Sequence, residues 1–499
     1  MSAGRIAKLV VAAALLSGSA TQAAAQDARA APPDFANGLR RAIVTEGAAP
    51  ERLPIAERMA RWHVPGLSVA LIEGCRVVDV RSFGVVRAGG PAVRPETLFQ
   101  SASVSKPVAA LAALRLVEQG VLDLDADVAA RLRSWTLPAS PLTEGHPVTL
   151  RGILSHSAGL VPGGYGGYAR GTAIPTPIQT LNGTPPAQPK PVRVNYVPGS
   201  AWRYSGGGYQ VAQLLMTEAT GRPFPDIVGD LVLTRAGMTH SLFGEPPTGA
   251  SVASGHNAGG QMIEGGWHIF PEYAAAGLWS TPSDLARFAI AVMTANRGEP
   301  SAILGRAMTA EMLETEIGPR SLGFVVGGEG QARQFGHEGA NEGYNAMLIA
   351  FPETCQGAAL MANSDNAKPL MYEVQRAIAD AYGWPDAMAS ATQPATAFTP
   401  AILERFAGTY RFTEIDVPPF RIVRDEAGGL TFDRGDGHTE PLRASPDGLF
   451  APDSGVLIRA VAPEAGPAGT ITYGRIGGRG PAEARREPPQ KAADAVTRR

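Results

Sequence analysis

The stretch Ser103-Val104-Ser105-Lys106 stands immediately before an apolar helical run and constrains the fold of this chain more than any other feature. Residues 106–119 have helical spacing and are followed by Gly120, a natural residue after a helix C-terminus, so they predict a helix. A serine and a lysine three residues apart share one helix face, so Lys106 can reach Ser103. The free N–H groups of the helix N-terminus would favour an alkoxide or oxyanion there. The same quartet also suits a serine that merely caps a helix, followed by a solvated lysine.

Two further polar motifs follow the serine–lysine quartet in a fixed order. Residues 198–209 contain Tyr204-Ser205-Gly206, and residues 335–340 contain His337-Glu338-Gly339. Ser-x-x-Lys, Tyr-Ser-x and His-x-Gly in this order resemble the serine β-lactamase and penicillin-binding-protein superfamily. The resemblance is strongest to the class C-like branch, which also contains DD-peptidases, D-aminopeptidases and esterases. It extends over residues 35–384, with family-like stretches at residues 62–70, 154–160 and 276–286.

The resemblance implies a role for each polar side chain of the first two motifs. Ser103 would be the nucleophile that becomes acylated, and Lys106 its proton acceptor or charge partner. The phenol of Tyr204 would relay protons to the leaving group and activate the deacylating water. Tyr204 could instead be a core tyrosine in an aromatic turn, and Trp279 could either line the cleft or belong to the core.

The third motif implies the substrate side of the cleft. His337 occupies the place where many relatives carry the lysine of Lys-Thr-Gly, although a lone histidine is often only structural. Gly339 on an edge strand would let a substrate backbone approach closely. The amide N–H groups of Ala340 and Ser103 would form the oxyanion hole.

Two departures from the family pattern bear on the substrate. Gly206 stands where β-lactamases and penicillin-binding proteins usually carry an asparagine that contacts the lysine and the substrate amide. His337 is a weaker cationic anchor for a substrate carboxylate than a lysine, because histidine is only partly charged at neutral pH. Both departures favour an ester, or another substrate that lacks this carboxylate.

Composition and charge exclude several other classes of function. A net charge of −2 over 499 residues gives no electrostatic case for a nucleic-acid partner. The eight histidines are scattered, and no Cys/His cluster has metal-ligand spacing, so we expect neither a metal nor a cofactor. The Gly206-Gly207-Gly208 run lacks the Lys-Ser/Thr of a phosphate-binding loop. The partner that remains is a small-molecule ester, an amide or a cell-wall-type substrate.

The order of strands and helices predicts an α+β fold, in which an antiparallel sheet flanked by helices accompanies an all-helical region. Residues 1–25 predict a signal peptide, because a basic start, a short apolar run and small residues follow one another. The mature protein would be periplasmic or secreted, with no stable membrane span after signal cleavage. Residues 162–197, rich in Gly, Pro and Thr, predict either a substrate-side loop or a surface insertion without a role.

The predicted domain order follows from composition shifts along the chain. A β-lactamase-like hydrolase domain covers residues 33–385, and an Ala/Thr/Pro linker covers residues 386–400. Short strands at residues 401–480 predict a small C-terminal β-barrel that resembles the lipocalin-like modules of some superfamily members. Residues 481–499 are charged and contain proline, and they predict a disordered tail.

Two cysteines, Cys75 and Cys355, are the only ones in the chain. An exported protein with two cysteines can hold one disulfide. In the fold that the resemblance implies, the first and last strands of the sheet lie side by side, which would bring the two cysteine-bearing turns together. Two separate free thiols are the alternative.

The resemblance as a whole implies an exported serine hydrolase that forms an acyl-enzyme on Ser103. Candidate substrates are carboxylic esters first, then D-amino-acid amides or peptides, then β-lactams. The main alternative is a penicillin-binding or sensor protein that is acylated without turnover, since acylation needs only the nucleophile, the base and the oxyanion hole. A true class C-like β-lactamase is a further alternative.

Overall fold

The computed structural model describes residues 33–49, 51–386, 388–413, 418–461, 466–476 and 481–488. Contacts divide the chain into Met1–Asp34 and Phe35–Arg499, and the architecture below belongs to the second unit. The predicted signal peptide lies outside the described residues. Among the helices that the structure describes, none is both long and apolar enough to cross a membrane.

A six-stranded antiparallel sheet forms the centre of the hydrolase domain, in the order β3-β4-β5-β6-β1-β2. Its strands, in chain order, are β1 (Gly66–Glu73), β2 (Arg76–Gly84), β3 (Val325–Gly327), β4 (Gln334–Asn341), β5 (Tyr344–Phe351) and β6 (Gln356–Ala362). The central strands β1, β5 and β6 are buried on both faces, which explains why they read as nearly continuous apolar runs. The expected antiparallel sheet is therefore present, with strands from both ends of the domain.

Eleven α-helices occur among the described residues. They are α1 (Ile55–Arg61), α2 (Ser105–Glu118), α3 (Leu150–Leu154), α4 (Pro177–Asn182), α5 (Gly206–Thr220), α6 (Phe224–Val228), α7 (Tyr273–Ala276), α8 (Pro282–Asn296), α9 (Arg306–Leu313), α10 (Ala367–Tyr382) and α11 (Pro400–Phe406). Helices α1 and α10 share a core cluster with one face of the sheet, to which Val69 and Leu71 contribute. Ala70 and Ile72 point to the other face and join the core of the helical region. Because successive side chains of a strand point to opposite faces, β1 contributes residues to the core on each side of the sheet.

Helix α2 is buried on nearly all sides, as expected for a helix that is apolar around its whole circumference. Side-chain caps fix where two other helices of the domain begin. Ser205 caps α5 by accepting from the N–H of Gly208 at 2.9 Å, and Thr281 caps α8 by accepting from Asp284 at 3.2 Å. These caps set the N-terminal ends of α5, which packs against α2, and of α8, which packs against the central sheet.

A second sheet of nine antiparallel strands forms a nearly closed C-terminal barrel, in the order β10-β9-β8-β7-β15-β14-β13-β12-β11. Its strands are β7 (Gly408–Phe412), β8 (Phe420–Arg424), β9 (Leu430–Asp433), β10 (Thr439–Pro441), β11 (Arg443–Ser445), β12 (Gly448–Ala451), β13 (Val456–Ala460), β14 (Thr470–Arg475) and β15 (Ala482–Arg486). The two terminal strands of the sheet, β10 and β11, are separated by Leu442 alone, so the sheet curls back on itself. The expected small barrel is present.

The predicted disordered tail is wrong for residues 482–486, which form β15 between β7 and β14. Ala484 is fully buried in the barrel core and is flanked by the exposed side chains of Glu483 and Arg485. This alternation of exposed and buried side chains is typical of a strand with one face in the core. The high content of charged residues led to the prediction of disorder instead. Residues 489–499 of the predicted tail lie outside the described residues.

A buried ion-pair network joins the barrel to the hydrolase domain. Arg58 on α1 donates to both carboxylate oxygens of Glu373 on α10, each at 2.7 Å, and lies 2.9 Å from Asp453 of the barrel. The rings of Trp62 and His438 stack across the same interface, with centroids 5.6 Å apart. Removing one partner would leave a buried charge uncompensated, so this interface is sensitive to the loss of any one of these side chains.

Cys75 and Cys355 lie in the β1–β2 and β5–β6 turns and are joined as a disulfide, with Cα atoms 5.0 Å apart. The N–H of Cys75 also donates to the carbonyl of Cys355 at 3.1 Å. The pairing follows from the sheet order, since β6 lies directly beside β1.

Candidate active site

Ser103 lies in a short 3₁₀ turn, Ala102–Val104, that leads into α2. Its side chain is half-buried, whereas Lys106 in the first turn of α2 is only 2% exposed. Lys106 Nζ lies 3.0 Å from Ser103 Oγ and donates to the carbonyl of Ala275 at 2.7 Å. The serine and the lysine that the sequence places on one face are therefore in direct contact. The carbonyl of Ala275 orients the amine toward the serine.

The two neighbouring serines have other positions. Ser105 is fully buried, donates to the carbonyl of Ala102 at 2.6 Å and accepts from the N–H of Leu278 at 3.0 Å. Ser101 is also buried. Of the three, Ser103 is the one with an exposed fraction of its surface and a lysine at hydrogen-bond distance.

Tyr204 stands just before the Ser205 cap of α5 and is half-buried. Its ring centroid lies 4.9 Å from Lys106 Nζ and 6.3 Å from the ring of His337. The second and third motifs thus meet the first, although 98 and 231 residues of chain separate Tyr204 and His337 from Lys106. At this distance Lys106 Nζ faces the phenol ring closely enough for a cation–π interaction whenever the lysine is protonated.

Strand β4 forms the wall of the site next to Ser103. It pairs with β3 only through residues 334–336, so its edge beyond Gly336 is free of β3. A Cβ on Gly339 would lie 2.3 Å from the carbonyl oxygen of Ser101 and 2.9 Å from the amide nitrogen of Ser103. Only glycine lets the strand approach the serine turn this closely. The next residue, Ala340, is exposed at the same edge.

His337 is buried, and its hydrogen bonds define its tautomer. Nδ1 lies 2.6 Å from the carbonyl oxygen of Glu338, so it carries the proton. Nε2 lies 3.5 Å from the guanidinium of Arg320 and is therefore the acceptor. Burial, together with the nearby charges of Arg320 and Lys106, holds the pKa of His337 well below its usual value. His337 lines the site as a neutral group.

Arg320 supplies the positive charge that His337 does not. Its guanidinium lies 5.2 Å from the ring centroid of Trp202 and 5.5 Å from that of Tyr204. Sequence reasoning missed this residue because it follows α9 in an irregular segment and belongs to no motif. Its 17-residue separation from His337 gives no signal of contact.

Gly206 is the first residue of α5 and is covered by the segment from residue 162 onward. A Cβ on Gly206 would lie 3.0 Å from Cε2 of Tyr165 and 3.1 Å from the carbonyl oxygen of Gly163. The N–H of Gly206 donates to that same carbonyl at 2.8 Å. The space that an asparagine side chain would need is thus taken by Tyr165, so Gly206 is a packing position rather than an open part of the cleft.

Trp279 is buried, and its ring packs edge-on against Trp267 and Tyr344. It also lines a cavity of about 50 Å³, together with Gln100, Tyr273 and Ala276. Trp279 is accordingly a core residue with one cavity-facing side. Among the described residues, no cluster of three or more metal-ligating side chains is present.

Comparison with known proteins identifies the family. A family model for Beta-lactamase matches residues 54–383, which is more than half of the chain. Esterase EstB of Burkholderia gladioli is 32% identical over 169 residues, which are 30% of this chain and 40% of that esterase. The match thus spans less than half of that relative's length.

Two solved structures share the fold. The octameric penicillin-binding protein homologue from Pyrococcus abyssi has a TM-score of 0.59 at 22% identity, covering 86% of this chain and 98% of that chain. The D-amino acid amidase from Ochrobactrum anthropi SV3 has a TM-score of 0.51 at 22% identity, covering 66% of this chain and 97% of that chain. With the contact of Ser103 and Lys106 at its centre, the chain belongs to the β-lactamase family of serine hydrolases.

Proposed function

We propose that this protein is an exported serine hydrolase that forms a covalent acyl-enzyme on Ser103 and releases it with water. The observation that carries the proposal is the 3.0 Å contact between Lys106 Nζ and the half-buried Ser103 Oγ, beside the free edge of β4. A serine needs an adjacent proton acceptor to act as a nucleophile at neutral pH. The 3.0 Å distance from Lys106 Nζ supports the lysine in that role.

The chemistry follows from these positions. Neutral Lys106 takes the proton from Ser103 Oγ as Oγ attacks the substrate carbonyl carbon, and the N–H groups of Ser103 and Ala340 stabilise the resulting oxyanion. When the bond to the leaving group breaks, that group receives a proton by way of Tyr204 and Lys106. Water then attacks the acyl carbon, and Tyr204 accepts the proton of the water as it passes its own phenolic proton to Lys106. Lys106 returns a proton to Ser103 Oγ as the bond between Oγ and the acyl carbon breaks, which regenerates the starting enzyme.

Carboxylic esters are the first candidate substrates. Tyr165 fills the place where an asparagine would contact a substrate amide, so a group that recognises amides is missing there. The name of the Burkholderia gladioli relative, an esterase, agrees with this ranking.

D-amino-acid amides or peptides are the second candidates, and Arg320 supports the peptides, which carry a C-terminal carboxylate. Arginine stays charged at all working pH values and binds carboxylates in a fork geometry. A cation at this wall of the site could therefore hold a substrate carboxylate even though His337 is neutral. β-Lactams rank third, because they need both the amide contact and the anchor.

A panel of p-nitrophenyl esters, D-alanine anilides and nitrocefin tests the proposal on one purified sample. We expect steady turnover of a short-chain ester, lost by about 10³-fold or more in Ser103→Ala. Ser101→Ala is the matched control, since it removes a neighbouring buried hydroxyl and should keep turnover. A single stoichiometric burst with no turnover on any substrate would favour a sensor or cell-wall-binding protein. Labelling of Ser103→Ala by a fluorophosphonate would rule out Ser103.

Export is tested separately. Fractionation of cells that express the full chain, followed by N-terminal sequencing, should give a periplasmic or secreted protein that starts near Gln26, after the small residues at positions 23–25. A cytosolic protein with Met1 retained would contradict this part of the proposal.

A further inference from the structure

His156 precedes the segment that carries Tyr204 by nearly fifty residues, yet it contacts that segment from both its backbone and its ring. Its carbonyl accepts from the N–H of Arg203 at 2.8 Å, and its Nδ1 accepts from the N–H of Ser205 at 3.1 Å. These two donors are the residues on either side of Tyr204. We propose that His156 is a positioning residue that fixes Tyr204 for proton transfer, an inference that rests on the proposed function.

The imidazole ring also lies against the phenol. The ring centroids of His156 and Tyr204 are 4.4 Å apart, with an interplanar angle of 35°. The ring centroid of Tyr209 lies 5.3 Å from that of His156. His156 is only 2% exposed, so the phenol of Tyr204 meets a fixed surface on this side. Backbone and side chain of Tyr204 are therefore held by one residue.

The charge state of His156 suits this role. Burial, with the nearby charges of Lys106 and Arg320, keeps its pKa well below the usual value, so the ring is neutral. Because Nδ1 accepts a hydrogen bond, the proton resides on Nε2. A charged imidazolium would lose the Nδ1 lone pair and with it the bond to Ser205.

Two features of His156 cost stability and argue against a residue retained for packing alone. Its φ is +62°, in the left-handed region that non-glycine residues rarely adopt because it is strained for them. Its Nε2 is buried and has no hydrogen-bond partner among the described residues. A glycine would adopt this φ with less strain, and an apolar side chain would leave no unpaired nitrogen. The contacts of the His156 ring and carbonyl with residues 203–205 therefore explain why a histidine stands here.

Two substitutions separate positioning from packing. His156→Leu keeps an apolar bulk but removes the acceptor for Ser205, whereas His156→Asn keeps an acceptor oxygen near the place of Nδ1 and tolerates positive φ. On the best ester, we expect His156→Leu to lower kcat by about 10²-fold with little change in KM, as when a proton-transfer group is misplaced. We expect His156→Asn to stay within about tenfold of wild type. Equal losses in both variants would overturn the proposal.

A double-mutant cycle with Tyr204→Phe tests whether the two residues act as a unit. If His156 acts through Tyr204, His156→Leu should cost at most about threefold more in kcat once the phenol hydroxyl is gone. A further loss as large as in the wild-type background would overturn the proposal. His63→Leu is the matched control, since His63 also has a positive φ, of +52°, but is exposed, and the one hydrogen bond described for its ring is to the carbonyl of Ala258.

A measurement that does not use turnover covers the case in which a variant fails to fold. ¹⁵N NMR of the histidine-labelled wild-type protein should show His156 as a neutral Nε2–H tautomer with a hydrogen-bonded Nδ1 from pH 6 to 8. An imidazolium or an Nδ1–H tautomer would overturn the proposal. If wild-type Ser103 resists fluorophosphonate labelling while this NMR signature is present, the proposed function fails and the positioning geometry stands.

Discussion

The guanidinium of Arg320 lies 3.5 Å from Nε2 of His337, and this contact decides which of the two carries positive charge at the wall of the site. Arginine cannot give up its proton in a protein, so His337 must accept. The motif histidine is consequently neutral, and the cation comes from a residue outside every motif. The sequence-based view of His337 as a partly charged anchor needs this correction.

Arg320→Gln should change substrate selection rather than chemistry. Loss of a charged hydrogen bond costs roughly 1.5–3 kcal/mol, so kcat/KM for a D-alanyl substrate with a free carboxylate should fall by about 10- to 100-fold. For a neutral ester, kcat/KM should change by less than about threefold. Arg333→Gln, which removes an exposed cation just before β4, is the matched control. Equal losses on both substrates would show that Arg320 holds the site together instead of binding the carboxylate.

Tyr204→Phe should slow acylation and deacylation together, because the same hydroxyl is proposed to serve both steps. If deacylation suffers more, intact-mass spectra taken during turnover will show the acyl-enzyme accumulating on Ser103. Lys106→Met should instead slow acylation and leave little trapped intermediate, since the lysine contacts the serine directly at 3.0 Å. If Tyr204→Phe acylates and deacylates at wild-type rates, the hydroxyl takes no part in either step and Tyr204 serves only in packing.

The sequence could predict the parts of the site that lie in motifs. Ser103 and Lys106 share one turn, so local spacing determines their contact. Tyr204 and His337 came from motif order, which carries the family's fold with it. Arg320, Tyr165 and His156 make their contacts through tertiary packing over 17 to 49 residues, and no local pattern encodes these contacts.

The fold was predictable to a similar degree and for the same reason. Helical periodicity predicts a helix over residues 106–119, and α2 covers Ser105–Glu118, within one residue at each end. The last barrel strand, β15, was missed because Arg485 and Arg486 dominate its composition, whereas pairing with β7 and β14 decides its structure. Non-local pairing overrides composition at such a strand.

Gly206→Asn should destabilise the protein without creating β-lactam recognition. The new side chain would meet Cε2 of Tyr165 and the carbonyl of Gly163, both within about 3.1 Å of its Cβ. Overpacking of this kind costs about 1–3 kcal/mol, which thermal unfolding would detect. Adding Tyr165→Ala should recover part of that loss, so the two changes would be non-additive. An unchanged melting temperature in Gly206→Asn would mean that Tyr165 moves aside freely.

Reduction of the Cys75–Cys355 bond should lower the free energy of unfolding. The bridge spans a sequence separation of 280 residues, and the chain-entropy model gives on the order of 5 kcal/mol for a loop of that length. Titration of the unfolded, unreduced mature protein should find no free thiols, and Cys75→Ser/Cys355→Ser should unfold at lower denaturant. Two reactive thiols per chain would contradict the bridge.

Glu272 should make stability fall as the pH rises through neutrality. Its side chain, just before α7, is fully buried, and burial raises its pKa from 4.5 to about 7. The folded state therefore holds a proton that the unfolded state has lost between pH 4.5 and 7. The stability from this group is complete below pH 4.5 and disappears as pH rises through 7, a change of about 3 kcal/mol.

Glu272→Gln removes this titration while keeping the shape of the side chain. The unfolding free energy of the variant minus that of wild type should be constant below about pH 4.5. At pH 8 this difference should be larger by about 3 kcal/mol, in favour of the variant. Other titrating groups, such as His438, are common to both proteins and cancel in the difference. Glu329→Gln, an exposed control, should show no such shift. A difference that stays flat from pH 4 to 8 would show that Glu272 does not retain its proton at neutral pH.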